Sequence, residues 1–438
     1  MATGGEKRAA LLRQITEEGG FAFVASAEKA AAGDLRAAEA AREMAWEQLH
    51  SAPRAEAGAA AWRDAYALAC LHVAGLRAAA GDRSAALRAL DMGLIMGGGL
   101  LRAELDDAIA GLGRGEAAAV PVADGDVQRW EEGIARGRDL ADVLKLLPVN
   151  SLSCKQIERR SCISLEAFIR DYFLCESPVI LSGCIEHWPA RTKWKDIKYL
   201  QSIAGDRTIP VQVGKNYACT ELKQELITFS QFLERMWSSD SANLACLAQH
   251  QLFDQIKELH EDISVPEYCL AGGGKLQSLN AWFGPHGTIT PLHHDPHHNH
   301  LFAQVLGRKY VRLYPASISV GLYPNPESML SNTSQIFFWT PWQPIFIGTL
   351  MFNFASLQSK SIHSVVILKL CTANKVDLDN IDEKEHPKTA ALEFMDCILE
   401  EGDLLYIPPK WWHYVRSLSI SFSVSFWWRT SDLPSGSS

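Results

Sequence analysis

Thr290-Pro291-Leu292-His293-His294-Asp295 is the stretch that decides how this chain is read. In an extended strand, side chains two residues apart point the same way, so His293 and Asp295 project together while His294 faces the opposite side. One strand therefore supplies two metal-ligand types at once. A lone histidine, His413, follows far downstream in Gly402-Asp403-Leu404-Leu405-Tyr406-Ile407-Pro408-Pro409-Lys410-Trp411-Trp412-His413. Two histidines and one carboxylate from two strands occupy one face of an octahedral ion and leave positions open for a cosubstrate and dioxygen, which predicts a non-heme iron oxygenase.

The rest of the chain bounds that reading. At 438 residues and 47% hydrophobic composition, it has material for two or three domains with sizeable cores. A formal charge of -9 gives no basic face for gripping nucleic acid, so a basic protein is the expected partner and no sequence-specific nucleic-acid binding is expected. The 10 cysteines include no Cys-x-x-Cys pair, which reads as reduced thiols in the nucleus or cytosol. The run from Met1 to Arg8 mixes charges and leads into no apolar core of signal-peptide length, and neither secretion nor membrane insertion is expected.

Residues 1–112 are rich in Ala, Leu, Arg and Glu, with Trp62, Tyr66, Cys70 and Val73 at helical spacing. The string Ala-Ala-Ala-Gly-Asp occurs at 30–34 and again at 78–82; its Gly is suited to stopping one helix and its Asp to capping the next. This predicts an all-α domain of helical hairpins similar to tetratricopeptide units, serving partner binding or dimer formation. Residues 113–150 carry Gly113, Gly115, Pro121 and Gly125 and read as a linker with a short helix near Trp130. From 151 to 430 the pattern turns to strands, among them Pro178–Gly183, Lys309–Tyr314 and Ser417–Phe426. In the last of these serine takes every odd position and a large apolar residue every even one after Ser417, the pattern of a pocket lining or of a half-solvated strand. Residues 431–438 read as a disordered tail.

His-x-Asp followed by Gly-Asp-x-x-x-Ile-Pro-x-x-x-x-His, with Asn280-Ala-Trp-Phe-Gly-Pro285 upstream, resembles the jumonji-C (JmjC) dioxygenases. Leu165-Glu-Ala-Phe168, His187-Trp-Pro189, Leu247–Phe253 and Gly307-Arg-Lys-Tyr310 occur in that family's order, over roughly residues 160–428. The likeness is greatest to the JmjC-only branch of lysine demethylase eight and its plant relatives. It implies an α+β protein, in which a double-stranded β-helix (jelly-roll or cupin) follows the helical domain.

By that resemblance, His293, Asp295 and His413 hold Fe(II), and Lys309 and Thr290 take the distal carboxylate of 2-oxoglutarate. Asn299 and Trp282 line the pocket. The implied reaction consumes 2-oxoglutarate and O2 to hydroxylate a C–H bond on a histone tail or other basic protein. On an N-methyl group the product loses formaldehyde, giving demethylation; on a side-chain carbon, such as that of an arginyl residue, the hydroxyl remains. Trp411, Trp412, Trp427 and Trp428 read as packing rather than as a substrate cage.

Four departures qualify the likeness. The 40 residues from Ile336 to Lys375 contain three lysines and no acid, and read as an insertion, translated intron sequence or a lid loop. The run Asn299–Gln304 carries one residue more than the family's spacing. Such a slip reverses side-chain facing unless a bulge absorbs it, which bears harder on Asn299 than on Lys309. Cys246 stands where a tyrosine hydroxyl is expected, and Gln212 where an acid is expected. A catalytically impaired isoform acting as an interaction module is the second reading.

Overall fold

A computed structural model describes residues 4–50, 56–113, 122–148, 150–153, 155–213, 223–237, 244–295, 297–323, 388–389 and 392–430. The 336–375 stretch and the 431–438 tail lie outside the described residues. The chain forms two compact units. One comprises Met1–Pro121, Gln201–Ile209 and Ile227–Gln231, and the other comprises Val122–Leu200, Pro210–Leu226 and Phe232–Ser438.

The first unit holds helices α1 (Gly4–Glu17), α2 (Phe21–Ala31), α3 (Leu35–His50), α4 (Glu56–Ala79), α5 (Arg83–Met96) and α6 (Arg102–Gly111). The repeated Ala-Ala-Ala-Gly-Asp acts as its composition suggests. Gly33 and Gly81 take φ of 102° and 80°, the left-handed region that ends a helix. Asp34 then accepts from Ala37 N at 3.1 Å, and Asp82 from Ala85 N at 3.0 Å, capping the next helix. Alanines carry much of this core: Ala38, Ala41, Ala45, Ala65 and Ala69 are buried beside Trp62, Tyr66, Cys70 and Val73. Asp91, fully buried on α5, accepts from Arg207 Nε at 3.0 Å and Thr208 N at 2.7 Å, fastening residues 201–209 to the helices.

The second unit is built on strands. β1 (Lys155–Gln156), β2 (Arg159–Ser161), β3 (Val179–Ser182), β4 (Thr208–Val213), β5 (Lys223–Thr228), β6 (Ala245–His250) and β7 (Lys275–Gly284) come first. β8 (Ile289–His294), β9 (Asn299–Leu306), β10 (Lys309–Tyr314), β11 (Met395–Leu399), β12 (Leu404–Ile407), β13 (Trp412–Ser417) and β14 (Ser421–Arg429) follow. The sheets are ordered β1-β11-β10-β13-β8 and β2-β3-β12-β9-β14-β7-β6-β4-β5. From β7 to β10 successive strands alternate between the sheets, and β11 to β14 do so again, which is the winding of a double-stranded β-helix. Phe302, Val311, Leu313, Leu405, Ile407 and Val415 fill the space between the sheets. On the outer face of the smaller sheet, Tyr310, Tyr314, Trp412 and Tyr414 pack with Val143 and Leu147.

That outer packing changes the status of the segment expected to be a linker. Residues 122–148 form helices Asp124–Ala135 and Leu140–Leu144, and they belong to the second unit. Trp130 is fully buried, and its Nε1 donates to Lys195 O at 2.9 Å. No helix among the described residues is long and apolar enough to cross a membrane.

The Ser417–Phe426 alternation also resolves differently from its one-strand appearance. A bend at 418–420 separates β13 from β14. Gly307 is required beside it: with φ at 71°, a Cβ there would meet Ile420 O at 1.9 Å. Both faces of β14 are buried. Phe422 stacks on Phe283 and Trp194 on one side. On the other, Gln304 donates to Ser421 Oγ at 3.0 Å and accepts from Ser423 Oγ at 2.7 Å. Ser421 and Ser423 are therefore neither solvated nor a pocket wall; they satisfy a buried amide. Replacing Gln304 with Leu leaves two buried hydroxyls without their partner, at about 1–3 kcal/mol each. Chemical denaturation of Gln304→Leu should show a clearly lower midpoint, and an unchanged midpoint contradicts the network.

Candidate metal centre

β8 and β13 run antiparallel with His293 directly opposite His413, and the two ring centroids are 4.1 Å apart. His293 Nδ1 lies 2.7 Å from Pro291 O, and His413 Nδ1 lies 3.1 Å from Trp411 O. A carbonyl only accepts, so each Nδ1 carries the proton and each Nε2 keeps the lone pair a metal needs. Asp295 follows the end of β8. His294 turns away, edge-on to Trp412 with centroids 4.6 Å apart.

One donor atom each from Asp295, His413 and a further residue, His300, lies within 4.8 Å of the others, and all three residues are buried. Asp295 Oδ2 has no hydrogen-bond partner among the described residues. Burial pushes this carboxyl up to about 7. Burial lowers His293, and it lowers His413 well below the ordinary range, with His293 and His300 adding to the effect. Neutral imidazoles around an orphaned buried carboxylate form a donor set that a divalent cation fits: the ion supplies the charge the carboxylate lacks.

The pocket beside these groups is lined by Trp282, Thr290, His293, His300, Lys309 and His413, with Phe302, Val311, Ile407, Val415 and Trp427 completing the wall. About 390 Å³ there is free of protein atoms, open solvent included. Lys309 is buried, its Nζ 5.0 Å from the Phe302 ring centroid, and no carboxylate among the described residues pairs with it. Burial pushes it down to about 7. Trp282 Nε1 and Trp427 Nε1 are buried N–H donors without an acceptor among the described residues. A buried cation and two unused donors suit an anionic, oxygen-rich ligand.

Of the residues expected at the site, His293, His413, Thr290, Lys309 and Trp282 share this pocket, with Asp295 at its metal-ligand cluster. Asn299 does not. Its Oδ1 accepts from Tyr406 Oη at 2.8 Å, away from the cavity. The cause is the extra residue in β9. Leu306 pairs with Phe422 and Gln304 with Ser423, so Val305 is bulged. The bulge lies downstream of Asn299 and upstream of Lys309; the lysine keeps its facing while the first part of the strand turns over. His300 takes the inward position instead. The only sequence signal for it was that one surplus residue. The histidine run around it is no loose loop, for His298 accepts from Arg429 Nε at 3.1 Å. Trp412 and Trp428 are fully buried as packing, whereas Trp427 reaches the pocket. Cys246 and Gln212 are both buried and face each other across β6 and β4.

Two facing sheets threaded by one winding chain, with histidines and a carboxylate gathered beside a pocket between them, define a cupin-type protein. The chain belongs to the cupin-like family, whose model matches residues 164–433, and within it to the jumonji-C branch of its relatives. A second model, described as KDM8-like N-terminal ARM repeats, matches residues 1–124, the helices compared above with tetratricopeptide units. Lysine-specific demethylase JMJ30 of Arabidopsis thaliana is 52% identical over 437 residues, covering 95% of this chain and 91% of the relative. Lysine-specific demethylase 8 of Xenopus tropicalis is 33% identical over 430 residues, covering 88% and 86%. Its Danio rerio namesake is 37% identical over 348 residues, covering 78% and 74%.

Lys309 gives a test that needs no ligand. Its folded pKa, about 7, lies below the ordinary 10.5. Between these values the folded protein binds fewer protons than the unfolded chain. The burden is absent above the ordinary value, grows as pH falls through the window, and is complete below about 7. Lys309→Met should therefore raise the melting temperature of the ligand-free protein by at least about 2 °C near pH 7, with a smaller gain at pH 9.5. Equal melting temperatures across that range contradict a desolvated lysine.

Proposed function

We propose that this chain is an Fe(II)- and 2-oxoglutarate-dependent protein oxygenase that demethylates lysine on a histone tail or another basic protein in the nucleus. The observation that carries this reading is one pocket lined by the facing pair His293 and His413, with Asp295 grouped with His413 at its edge and a buried Lys309 on its wall that no carboxylate among the described residues neutralises. His293, Asp295 and His413 would hold the iron, each histidine oriented by a backbone carbonyl. Lys309 and the Thr290 hydroxyl would bind the distal carboxylate of 2-oxoglutarate; that carboxylate relieves the cost of burying the ammonium. Trp282 would form the aromatic wall, its indole N–H offering the bound acid a hydrogen bond.

When bound, iron and 2-oxoglutarate supply oxidative decarboxylation to succinate and CO2 coupled to insertion of oxygen into a C–H bond. The protein's part is to orient these ligands and keep bulk water out with the apolar walls of Phe302, Val311, Ile407 and Val415. The relatives are named lysine-specific demethylases, which supports an N-methyl group as target. A net charge of -9 suits a basic substrate.

The test is succinate formation from 2-oxoglutarate with Fe(II) and ascorbate, with mass spectrometry of methylated histone peptides. Turnover lost at least about a thousandfold in His413→Ala, with formaldehyde and loss of a methyl mass, is the expected result. Gain of one oxygen on an arginyl side chain would replace demethylation with hydroxylation. No turnover above the His413→Ala background would favour an impaired isoform acting as an interaction module.

A further inference from the structure

We propose that His300 is a fourth protein donor in the metal centre, so that the chain offers an ion three imidazoles and one carboxylate; this inference rests on the iron reading above. His300 Nδ1 faces Asp295 Oδ2 at 3.5 Å, and neither atom has a hydrogen-bond partner among the described residues. The ring is fixed at its other end, where Nε2 lies 2.8 Å from Ser425 Oγ. A serine hydroxyl accepts an N–H readily, and a proton on Nε2 leaves the Nδ1 lone pair directed at the carboxylate.

The surroundings hold the ring in that pose. Phe302 and Trp427 meet it edge to face, at centroid distances of 5.7 and 5.5 Å. The His413 ring is 5.8 Å away. First-row ions hold nitrogen and oxygen donors at about 2.0–2.2 Å, so two donors of one ion are at most about 4.4 Å apart. The Asp295, His300 and His413 donors lie within 4.8 Å of one another, a contraction of a few tenths of an ångström from that limit. The Val305 bulge puts the histidine here.

The consequence is a trade. Three protein donors leave three positions on an octahedral ion, whereas four leave two. A fourth donor tightens metal retention and competes for the room that cosubstrate and dioxygen both require. A residue that merely hydrogen-bonds Asp295 would change neither the donor count nor the ligand field.

The experiment uses the full-length, metal-stripped protein titrated with Co(II) without 2-oxoglutarate. Visible ligand-field absorption reports donor number, and chelator competition reports affinity. Wild type, His300→Ala and His300→Phe are compared, with His413→Ala as reference. Phe keeps the ring shape without the donor, and the melting temperature of each metal-free variant checks folding. The expected result is one Co(II) per wild-type chain, with both His300 variants changing the absorption band and losing about tenfold or more in affinity. An unchanged band in folded His300 variants overturns the fourth donor, whatever happens to affinity, and leaves the three-residue site standing. No Co(II) band in the wild type removes the metal reading itself, and this inference with it.

Discussion

The antiparallel pairing of β8 with β13, which sets His293 opposite His413, is the constraint on which the rest of the centre depends. It joins two segments far apart in sequence, and a backbone carbonyl orients each imidazole. Register in a sheet is all or nothing, because a one-residue slip sends every side chain to the other face. The same pairing presents Thr290 on the pocket wall, through a bulge between His413 and Val415. Around this pair the protein buries charges it does not neutralise, Asp295 beside the histidines and Lys309 across the cavity. Each is costly to bury without a partner, and together they describe the ligands that would offset that cost, a divalent cation and an acid.

What was legible in the sequence was local. The two-residue period separated His293, on the pocket wall, from His294, which packs on Trp412, and Gly-Asp in the repeated helix boundary carries its own turn and cap chemistry. Lys309 was marked by the resemblance rather than by its strand alone, and it shares the strand face that turns Val311 and Leu313 toward the inter-sheet core. The failures were tertiary. Asn299 lost its place to His300 because the bulge settled at Val305, a choice made by the pairing of β9 with β14 rather than by β9 alone. The serine face of β14 looked polar, yet its partner is Gln304 on a neighbouring strand. Residues 113–150 read as a linker with a short helix near Trp130; the helix is present, and Trp130 and Val143 are buried through contacts that no short window reveals.

Family membership and site geometry constrain different things. The cupin-like match accounts for the winding of the sheets and for the order of the motifs. It does not account for a buried third histidine beside the expected carboxylate, nor for Cys246 facing Gln212 across two strands. Of these, His300 lines the pocket, whereas Cys246 and Gln212 are paired on neighbouring strands outside its lining.

The central claim is that one pocket holds iron and 2-oxoglutarate together, and its most direct measurement is an anaerobic titration of the Fe(II)-loaded protein with 2-oxoglutarate. Chelation of the keto acid by Fe(II) produces a visible charge-transfer band. The account predicts a band saturating at one equivalent per chain, absent in His413→Ala and reached only at much higher concentration in Lys309→Met. Iron binding without any such band in the wild type would contradict it.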